Sequence, residues 1–351
     1  MDKSKPCLVT GGSGYIGLHV VSQLLDAGYT VHATVRDLQN DKKVAPLRDL
    51  RARPGQLQLF EADLLRPGSF AQAMKGCSVV FHVASPFPWL PKIRDGQKEC
   101  VEPAVQGTKN VLDSVNLEDS VKRVVLTSSM GAVYGDYVDA RQMDGNVLHE
   151  RYWNTTSSVT HNPYAYSKVL AEKEAWAAAA AQSRWDLVVL CPGLVLGPSL
   201  SPSSASGSLN LLDDVLRGRH FLGVPPLSFF IVDVRDVAVA HIRATERPQA
   251  HGRYLVLPTV MTSIVDISRF LRTIYEGPSW WLPTWQLPKF LLMIMGPRVG
   301  LSRKWIGANM GIEFTSDNSR SVRELGIDYT RLEQTLKDHY ESWKKQEEGR
   351  R

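Results

Sequence analysis

A tyrosine and a lysine four positions apart form the pair in this chain best suited to proton transfer. Tyr164 and Lys168 would share one face of a helix, because side chains at positions i and i+4 are neighbours. A phenol has a pKa of about 10, and a nearby ammonium group favours the phenolate and lowers that pKa. We therefore expect Tyr164 to exchange a proton with a carbonyl or alcohol oxygen as a general acid or base.

A serine at the end of a predicted strand would assist the same reaction. Residues 123–129 form an apolar run that ends in hydroxyl side chains. Ser129 at its end could hydrogen-bond the substrate oxygen and polarise it, and Ser128 is the alternative. We predict a catalytic set of Ser129, Tyr164 and Lys168.

A glycine-rich turn near the N-terminus could hold the phosphates of a dinucleotide. It lies between a predicted strand over residues 6–10 and a predicted helix over residues 15–27. Its glycines permit a tight turn and close approach of a pyrophosphate, which the N-terminus of the helix favours electrostatically. The predicted cofactor contacts in this turn are Gly11, Gly12, Ser13, Gly14, Tyr15, Ile16 and Gly17.

The end of the next predicted strand indicates which dinucleotide binds. Residues 29–35 are followed by Arg36, at a position where an NAD site usually carries an acidic residue for the ribose 2′-hydroxyl. Together with Lys42 and Lys43 this arginine forms a cationic cluster suited to a 2′-phosphate, which favours NADP(H). Asp37 keeps NAD(H) open, because a small rearrangement would point its carboxylate at the ribose.

The rest of the chain alternates short apolar runs with helical segments, as a doubly wound parallel sheet requires. Further strands are predicted over 57–60, 79–84 and 187–191, and further helices over 69–75, 102–116 and 164–182. Ligands bind such sheets beyond the carboxyl ends of the strands. The segments expected at that edge are Asp63, residues 84–86, residues 128–129 and residues 192–193.

These patterns predict a Rossmann-type α/β fold with a smaller, mixed C-terminal lobe. We expect an NADP-binding domain over residues 1–193 and a substrate-binding lobe over residues 194–351. Within that lobe, residues 229–257 should return to the Rossmann core, with residues 229–237 adding a strand and a helix to the sheet.

The composition is that of an ordinary globular protein. The chain has 351 residues, of which 43% are hydrophobic and 22% charged, enough for a sizeable core. A net charge of +5 without a basic stripe argues against nucleic-acid binding. The four cysteines lack CxxC spacing, and Cys7 and Cys191 fall in predicted core strands, where we expect buried thiols. The histidines are scattered, so we predict no metal site. The first strand begins by about residue 7, which leaves no room for a signal peptide and predicts a cytoplasmic protein.

Two apolar segments in the C-terminal half admit more than one interpretation. Residues 290–295 are far fewer than the roughly 20 that span a bilayer, so we predict a core or pocket helix, with peripheral membrane contact as the alternative. Residues 277–305 hold four tryptophans, which either wall an apolar pocket or, as we favour, form the core of a small lobe. The chain could be a monomer or a homodimer.

These motifs together resemble those of extended short-chain dehydrogenase/reductases, in the group of dihydroflavonol, cinnamoyl-CoA and related aldehyde or ketone reductases. The resemblance runs from about residue 7 to 198 and continues more weakly to about 343. It is carried by residues 10–17, 33–37 with 42–43, 62–64, 68–70, 81–86, 103–108, 121–129 and 164–168.

The resemblance implies NADPH as cofactor and the same catalytic set of Ser129, Tyr164 and Lys168. It places Arg36 and a following lysine on the 2′-phosphate. The other cofactor contacts expected are Asp63 and Leu64 near the adenine, Val83, Ala84, Ser85 and Thr127 along the ribose and nicotinamide, and Pro192, Gly193 and Val195 against the nicotinamide.

Two departures from the family pattern bear on the substrate. Residues 161–166 read His-Asn-Pro-Tyr-Ala-Tyr where cinnamoyl-CoA reductases carry an Asn-Trp-Tyr-Cys-Tyr segment, and Tyr134 stands where dihydroflavonol reductases usually carry Asn. We predict an NADPH-dependent reductase of a bulky, apolar aldehyde or ketone, or the reverse alcohol oxidation. The alternatives are an NAD-dependent 3β-hydroxysteroid or sterol dehydrogenase, a sugar-nucleotide epimerase and, more remotely, an NADP-sensing module without turnover.

Overall fold

The computed structural model of the protein describes residues 2–85, 93–203 and 206–349. In chain order the strands are β1 (Cys7–Thr10), β2 (Val31–Val35), β3 (Leu57–Glu61), β4 (Val79–His82), β5 (Arg123–Thr127), β6 (Val147–Leu148), β7 (Asp186–Pro192), β8 (Leu194–Leu196), β9 (Ser228–Phe229), β10 (Ile231–Asp233), β11 (Gly252–Val256), β12 (Thr262–Ser263) and β13 (Thr315–Ser316). The helices are α1 (Tyr15–Asp26), α2 (Asp41–Arg48), α3 (Ala71–Met74), α4 (Glu102–Leu117), α5 (Pro163–Ala180), α6 (Gly207–Leu216), α7 (Val234–Glu246), α8 (Ile264–Leu271), α9 (Lys289–Met295), α10 (Arg303–Asn309) and α11 (Leu332–Glu348). Pro86, expected at the ligand edge, lies outside the described residues.

Seven parallel strands form the central sheet, in the order β11-β7-β5-β4-β1-β2-β3. The winding starts at β1, proceeds outward through β2 and β3, and then crosses to β4 on the other side of β1. This reversal creates a crevice beyond the carboxyl ends of β1 and β4, where ligands of doubly wound sheets bind. The predicted Rossmann-type fold is confirmed.

Strand β1 shows how the two helical layers arise from the sequence. Its four residues are all buried, as expected for a central parallel strand. Successive side chains point to opposite faces of a sheet. Accordingly, Cys7 and Val9 pack in the core beneath α1 and α7, whereas Leu8 packs in the core beneath α4 and α5. All four cysteines of the chain are buried free thiols, which confirms the prediction for Cys7 and Cys191.

One expectation about the return of the chain to the sheet is wrong. Strand β10 pairs with β8 in a separate two-stranded sheet, and β11 is the strand that joins the central sheet beside β7. The cause lies at Gly193, where a Cβ atom would stand 2.3 Å from the carbonyl oxygen of Phe230. This close approach, with a 2.7 Å hydrogen bond from the Leu194 amide to the same oxygen, turns the chain away from the sheet directly after β7.

The aromatic segment near the C-terminus is less buried than the sequence predicts. Trp280 is 62% and Trp285 50% exposed, and helix α9 has no buried residue, so neither forms the predicted core. The physical reason is that α9 is short and apolar on all sides, while the small lobe is anchored by other side chains such as Leu282 and Ile306. In the described part of the chain, no helix is both long and apolar enough to cross a bilayer.

Candidate active site

A cleft of about 1580 Å³ lies along the carboxyl ends of the central strands. Its walls include residues that directly follow β1, β2, β3, β4, β5 and β7. Ligand pockets for a single small molecule usually measure roughly 300–1,000 Å³. The cleft is therefore large enough for a dinucleotide together with a second, smaller ligand.

The glycine-rich turn forms a bare backbone cradle at one wall of this cleft. Gly11 has a φ of +68°, and a Cβ atom there would stand 2.9 Å from the Cα of Ala84. At Gly17 a Cβ atom would stand 2.2 Å from the carbonyl oxygen of Gly11. Gly14 caps the N-terminus of α1, so the free amides of the first turn face a surface without side chains. This geometry fits a bound pyrophosphate.

A buried threonine at the end of β1 holds the cradle against the next wall. The Oγ1 atom of Thr10 accepts hydrogen bonds from the backbone amides of Val83, at 3.1 Å, and Ala84, at 3.0 Å. Burial lowers the pKa of His82 to about 3, so its ring is neutral. The Thr10 hydroxyl can therefore donate to His82 Nδ1 at 3.0 Å. No sequence motif predicts this link, which fixes the loop after β4.

The end of β2 presents cations to the cleft. Arg36 is 83% exposed and makes only a loose 3.9 Å ion pair with Asp63. Lys43 also lines the cleft, and burial together with the nearby Arg36 lowers the pKa of its ammonium group. The Oδ1 atom of Asp37 accepts a 2.8 Å hydrogen bond from the amide of Gln39, so that carboxylate stabilises its own turn.

Two of the predicted cofactor residues do not reach the cleft. Gly12 faces the protein interior, where a Cβ atom would stand 2.9 Å from that of Ala33. The side chain of Lys42 is exposed outside the cleft lining, although its neighbour Lys43 belongs to that lining. All the other predicted cofactor residues line the cleft: Gly11, Ser13, Gly14, Tyr15, Ile16, Gly17, Arg36, Lys43, Asp63, Leu64, Val83, Ala84, Ser85, Thr127, Tyr164, Lys168, Pro192, Gly193 and Val195.

The structure brings Ser129 and Tyr164 together in the middle of the cleft. Their side chains are hydrogen-bonded, and this bond lowers the pKa of the phenol. Burial has the larger and opposite effect, and it raises the pKa of Tyr164 to about 12. The expectation that this pKa falls is therefore wrong for the protein alone, because removal of the phenolate from water outweighs the favourable contacts.

Lys168 stands beside this pair, with its Nζ atom 5.8 Å from the centre of the Tyr164 ring. The same ammonium group donates a 2.8 Å hydrogen bond to Ser85 Oγ at the end of β4. Burial lowers the pKa of Lys168 to about 8. The side chain thus connects the tyrosine with the wall where the resemblance places the cofactor ribose.

The two candidate serines have different surroundings. Ser128 is buried and donates a 2.6 Å hydrogen bond to Glu172 Oε2, which also accepts a 3.3 Å hydrogen bond from the guanidinium of Arg253. Ser129 begins a short 3-10 turn, and its Oγ accepts a 3.1 Å hydrogen bond from the amide of Gly131. Its hydroxyl hydrogen remains available to a ligand or to Tyr164. The geometry favours Ser129 as the residue that meets a substrate.

Thr127 lines the cleft, but its hydroxyl group hydrogen-bonds a buried side chain in the protein interior. His241 Nδ1 lies 2.7 Å from the carbonyl oxygen of Val237, so that nitrogen carries the proton. Burial lowers the pKa of His241 to about 4, and Nε2 is therefore an acceptor. Thr127 Oγ1, 2.7 Å from Nε2, donates to it.

Much of the far side of the cleft was not predicted from the sequence, because segments far apart in the chain build it. Asp136 is buried and binds His161 Nε2 at 2.7 Å and Asn309 Nδ2 at 2.8 Å, so it joins three parts of the chain. Asn162 has a φ of 56° and caps helix α5 through a hydrogen bond from the Ala165 amide. An Asn-Pro pair before a helical run is a recognisable helix start, but nothing local links it to Asn309.

Comparison with known proteins agrees with this geometry. Residues 7–257 match the model of the NAD dependent epimerase/dehydratase family. The chain belongs to this family of extended short-chain dehydrogenase/reductases. It is accordingly an NAD(P)-dependent reductase of that family, and the resemblance read from its motifs is confirmed.

Several plant reductases are similar to this chain over most of its length. Cinnamoyl-CoA reductase CAD2 of Medicago truncatula is 36% identical over 342 residues, covering 96% of this chain and 94% of that protein. Anthocyanidin reductase of Arabidopsis thaliana is 37% identical over 281 residues, covering 76% and 80%. The bifunctional dihydroflavonol 4-reductase/flavanone 4-reductase of Malus domestica is 33% identical, covering 93% and 87%.

Solved structures share the fold over nearly the whole chain. Gre2 from Candida albicans, solved in complex with NADPH, has a TM-score of 0.75 and 27% identity, covering 97% of this chain and 99% of that one. Vestitone reductase from alfalfa, Medicago sativa, has a TM-score of 0.70 and 26% identity, covering 98% and 99%.

Proposed function

We propose that this reductase uses NADPH to reduce an aldehyde or ketone, with Tyr164 as the proton donor. The observation that carries the proposal is the position of the Tyr164 phenol. It is hydrogen-bonded with Ser129, beside Lys168, in the same cleft as the bare glycine cradle. The division into a cofactor domain over residues 1–193 and a substrate lobe over residues 194–351 is part of the proposal.

The three side chains would share the work at the carbonyl oxygen. When bound, the nicotinamide supplies the hydride that attacks the carbonyl carbon. Ser129 donates a hydrogen bond to the oxygen and stabilises the negative charge that develops there. With a pKa of about 12, Tyr164 carries its proton at neutral pH, and an alkoxide is basic enough to take it. The ammonium group of Lys168 stabilises the phenolate left behind.

The cations at the end of β2 support NADPH as the cofactor. Arg36 and Lys43 line the cleft, and within the described ranges Arg36 pairs only loosely with a carboxylate, that of Asp63 at 3.9 Å. The Asp37 carboxylate is engaged in its own turn, which weakens the case for a ribose 2′-hydroxyl there. A related Gre2 that is 27% identical was solved with NADPH, which supports the same choice.

The substrate side of the cleft is suited to an apolar molecule. Its apolar lining includes Met130, Leu211, Leu227, Phe229, Leu301 and Trp305. One relative is named as a cinnamoyl-CoA reductase, but residues 161–166 of this chain depart from the Asn-Trp-Tyr-Cys-Tyr segment of that group. We therefore favour a free carbonyl over a CoA thioester, and an aromatic or aliphatic body over a sugar nucleotide.

A panel assay tests this proposal. The oxidation of NADPH and of NADH is followed by absorbance with aromatic aldehydes, aliphatic ketones, flavanonols and acyl-CoA thioesters. We expect turnover of a free carbonyl with NADPH and much slower turnover with NADH. Turnover confined to thioesters would overturn the substrate assignment, and a preference for NADH would overturn the cofactor assignment.

A further inference from the structure

One region of the molecule concentrates exposed apolar side chains. In the described part of the chain, twelve large apolar side chains are exposed, and seven of them lie in residues 221–222 and 280–295. These seven, called the apolar surface below, are Phe221, Leu222, Trp280, Trp285, Phe290, Ile294 and Met295. Soluble proteins rarely expose contiguous apolar patches of this kind unless the patch binds something.

Four members of the apolar surface are joined in pairs by direct contacts. The rings of Phe221 and Trp280 lie edge to face, with their centres 6.3 Å apart. The indole Nε1 of Trp285 donates a 3.0 Å hydrogen bond to the carbonyl oxygen of Leu222. A few residues later, helix α9 adds two side chains four positions apart, Phe290 and Ile294, on one of its faces.

Residues 277–312, which contain five members of the apolar surface, carry charge of one sign. Residues 277–312 contain no aspartate or glutamate, whereas the whole chain has 36 acidic residues among 351. The same stretch carries four basic residues, Lys289, Arg298, Arg303 and Lys304. The last three are exposed, and Lys289 donates a 2.7 Å hydrogen bond to the carbonyl oxygen of Met310 rather than to a carboxylate. A partner that covers this region should therefore be anionic.

A protein surface that exposes tryptophans beside lysines and arginines is suited to bind the interface of an anionic bilayer. Indole rings settle at the level of the lipid headgroups, and each nearby lysine or arginine adds about 1 kcal/mol of attraction to an anionic leaflet. A second copy of the chain is less suited, because a two-fold contact would bring the same uncompensated cations face to face. No helix in the described ranges is suited to crossing a bilayer, so contact would be confined to its surface.

The apolar surface also adjoins the mouth of the cleft. Leu301, Ser302 and Trp305, from the same acid-free stretch, line the cleft. We propose that the apolar surface and its basic neighbours bind the surface of an anionic phospholipid bilayer and place the cleft beside the membrane. An apolar substrate would then enter from the headgroup region, where it accumulates.

Binding to vesicles tests this proposal without any turnover, so its outcome is independent of the reductase assignment. The whole chain is sedimented with phosphatidylcholine vesicles that contain or lack phosphatidylserine. We expect binding to the anionic vesicles that weakens as salt is raised, because screening reduces the attraction. Binding that is equally strong with and without phosphatidylserine, or no binding at all, would overturn the proposal.

Paired variants locate the binding surface. The double variant Arg298→Gln with Lys304→Gln should weaken binding by roughly 30-fold, whereas Lys75→Gln with Lys337→Gln removes two exposed cations elsewhere and should change little. Phe290→Ser with Ile294→Ser should weaken binding by at least roughly tenfold. The exposed pair Leu117→Ser with Val322→Ser serves as its control.

Either pair of controls could overturn the assignment. Equal losses in a test variant and its control would show that net charge or total apolar area, not this surface, drives binding. Light scattering provides a further decisive outcome. If the chain is a dimer that Phe290→Ser with Ile294→Ser converts to a monomer, and neither form binds vesicles, the apolar surface is a self-association interface and not a membrane site.

Discussion

Replacement of Arg36 by glutamine should convert the cofactor preference from NADPH towards NADH. The guanidinium lies at the rim of the cleft, 83% exposed, with one loose carboxylate partner. A hydrogen bond to a charged group contributes about 1.5–3 kcal/mol, and strong exposure to water places this one at the lower end. We therefore expect the Kd for NADPH to rise roughly tenfold, while the Kd for NADH changes by less than about twofold.

Two neighbouring lysines make the cofactor test sharper. Lys43→Gln should also weaken NADPH binding selectively, because this side chain lines the cleft. Lys42→Gln removes the same charge one position away, outside the cleft lining, and should leave both constants unchanged. Fluorescence titration of the reduced cofactors measures each Kd. A loss of affinity that is equal for NADPH and NADH in Arg36→Gln would refute the assignment of this site to a 2′-phosphate.

Three further predictions concern the walls of the cleft. Ser129→Ala should lower kcat by roughly 10²–10³-fold at unchanged stability. Ser128→Ala should instead lower the free energy of unfolding in urea by about 1–3 kcal/mol and largely spare kcat, because it leaves the buried Glu172 short of a donor. Thr10→Val should weaken NADPH binding and lower the free energy of unfolding by about 3 kcal/mol, because two backbone amides lose their acceptor, whereas Thr10→Ser should restore both. The kcat/KM for reduction should fall above a pH of about 8, where Lys168 loses its proton. The Lys168→Met variant should have a low kcat/KM at all pH values and should not show that decline. A wild-type profile that is flat to pH 10 would contradict the role of this ammonium group.

The cofactor half of the site could be predicted from the sequence because its determinants are local. The turn between β1 and α1 lies within ten residues, and Gly14 and Gly17 are both crowded by the nearby carbonyl oxygen of Gly11. The pairing of Tyr164 with Lys168 likewise follows from helical spacing alone. Such features depend little on how the rest of the chain packs.

What could not be predicted depends on burial and on distant contacts. The pKa of Tyr164 rises because burial outweighs its hydrogen bond, and burial is a property of the whole fold. Lys42 and Lys43 are indistinguishable in the sequence, yet only the second lines the cleft. The polar link from Asp136 reaches His161, 25 residues away, and Asn309, 173 residues away, which no local motif reveals.

The prediction that the tryptophan segment is buried was wrong for a different physical reason. Apolar composition usually predicts burial, because transfer from water stabilises apolar groups. The same composition is compatible with an exposed surface that meets another apolar phase. The absence of acidic residues from 277 to 312 was the distinguishing signal in the sequence.

The central claim is that Tyr164 donates the proton in a reaction that consumes NADPH. The most direct measurement compares NADPH oxidation by the wild-type chain, Tyr164→Phe and Tyr166→Phe on one carbonyl substrate, with the Kd for NADPH measured for each. We predict that Tyr164→Phe keeps its affinity for NADPH and loses roughly 10²–10⁴-fold in kcat, while Tyr166→Phe behaves like the wild type. Turnover by Tyr164→Phe at the wild-type rate would contradict the account.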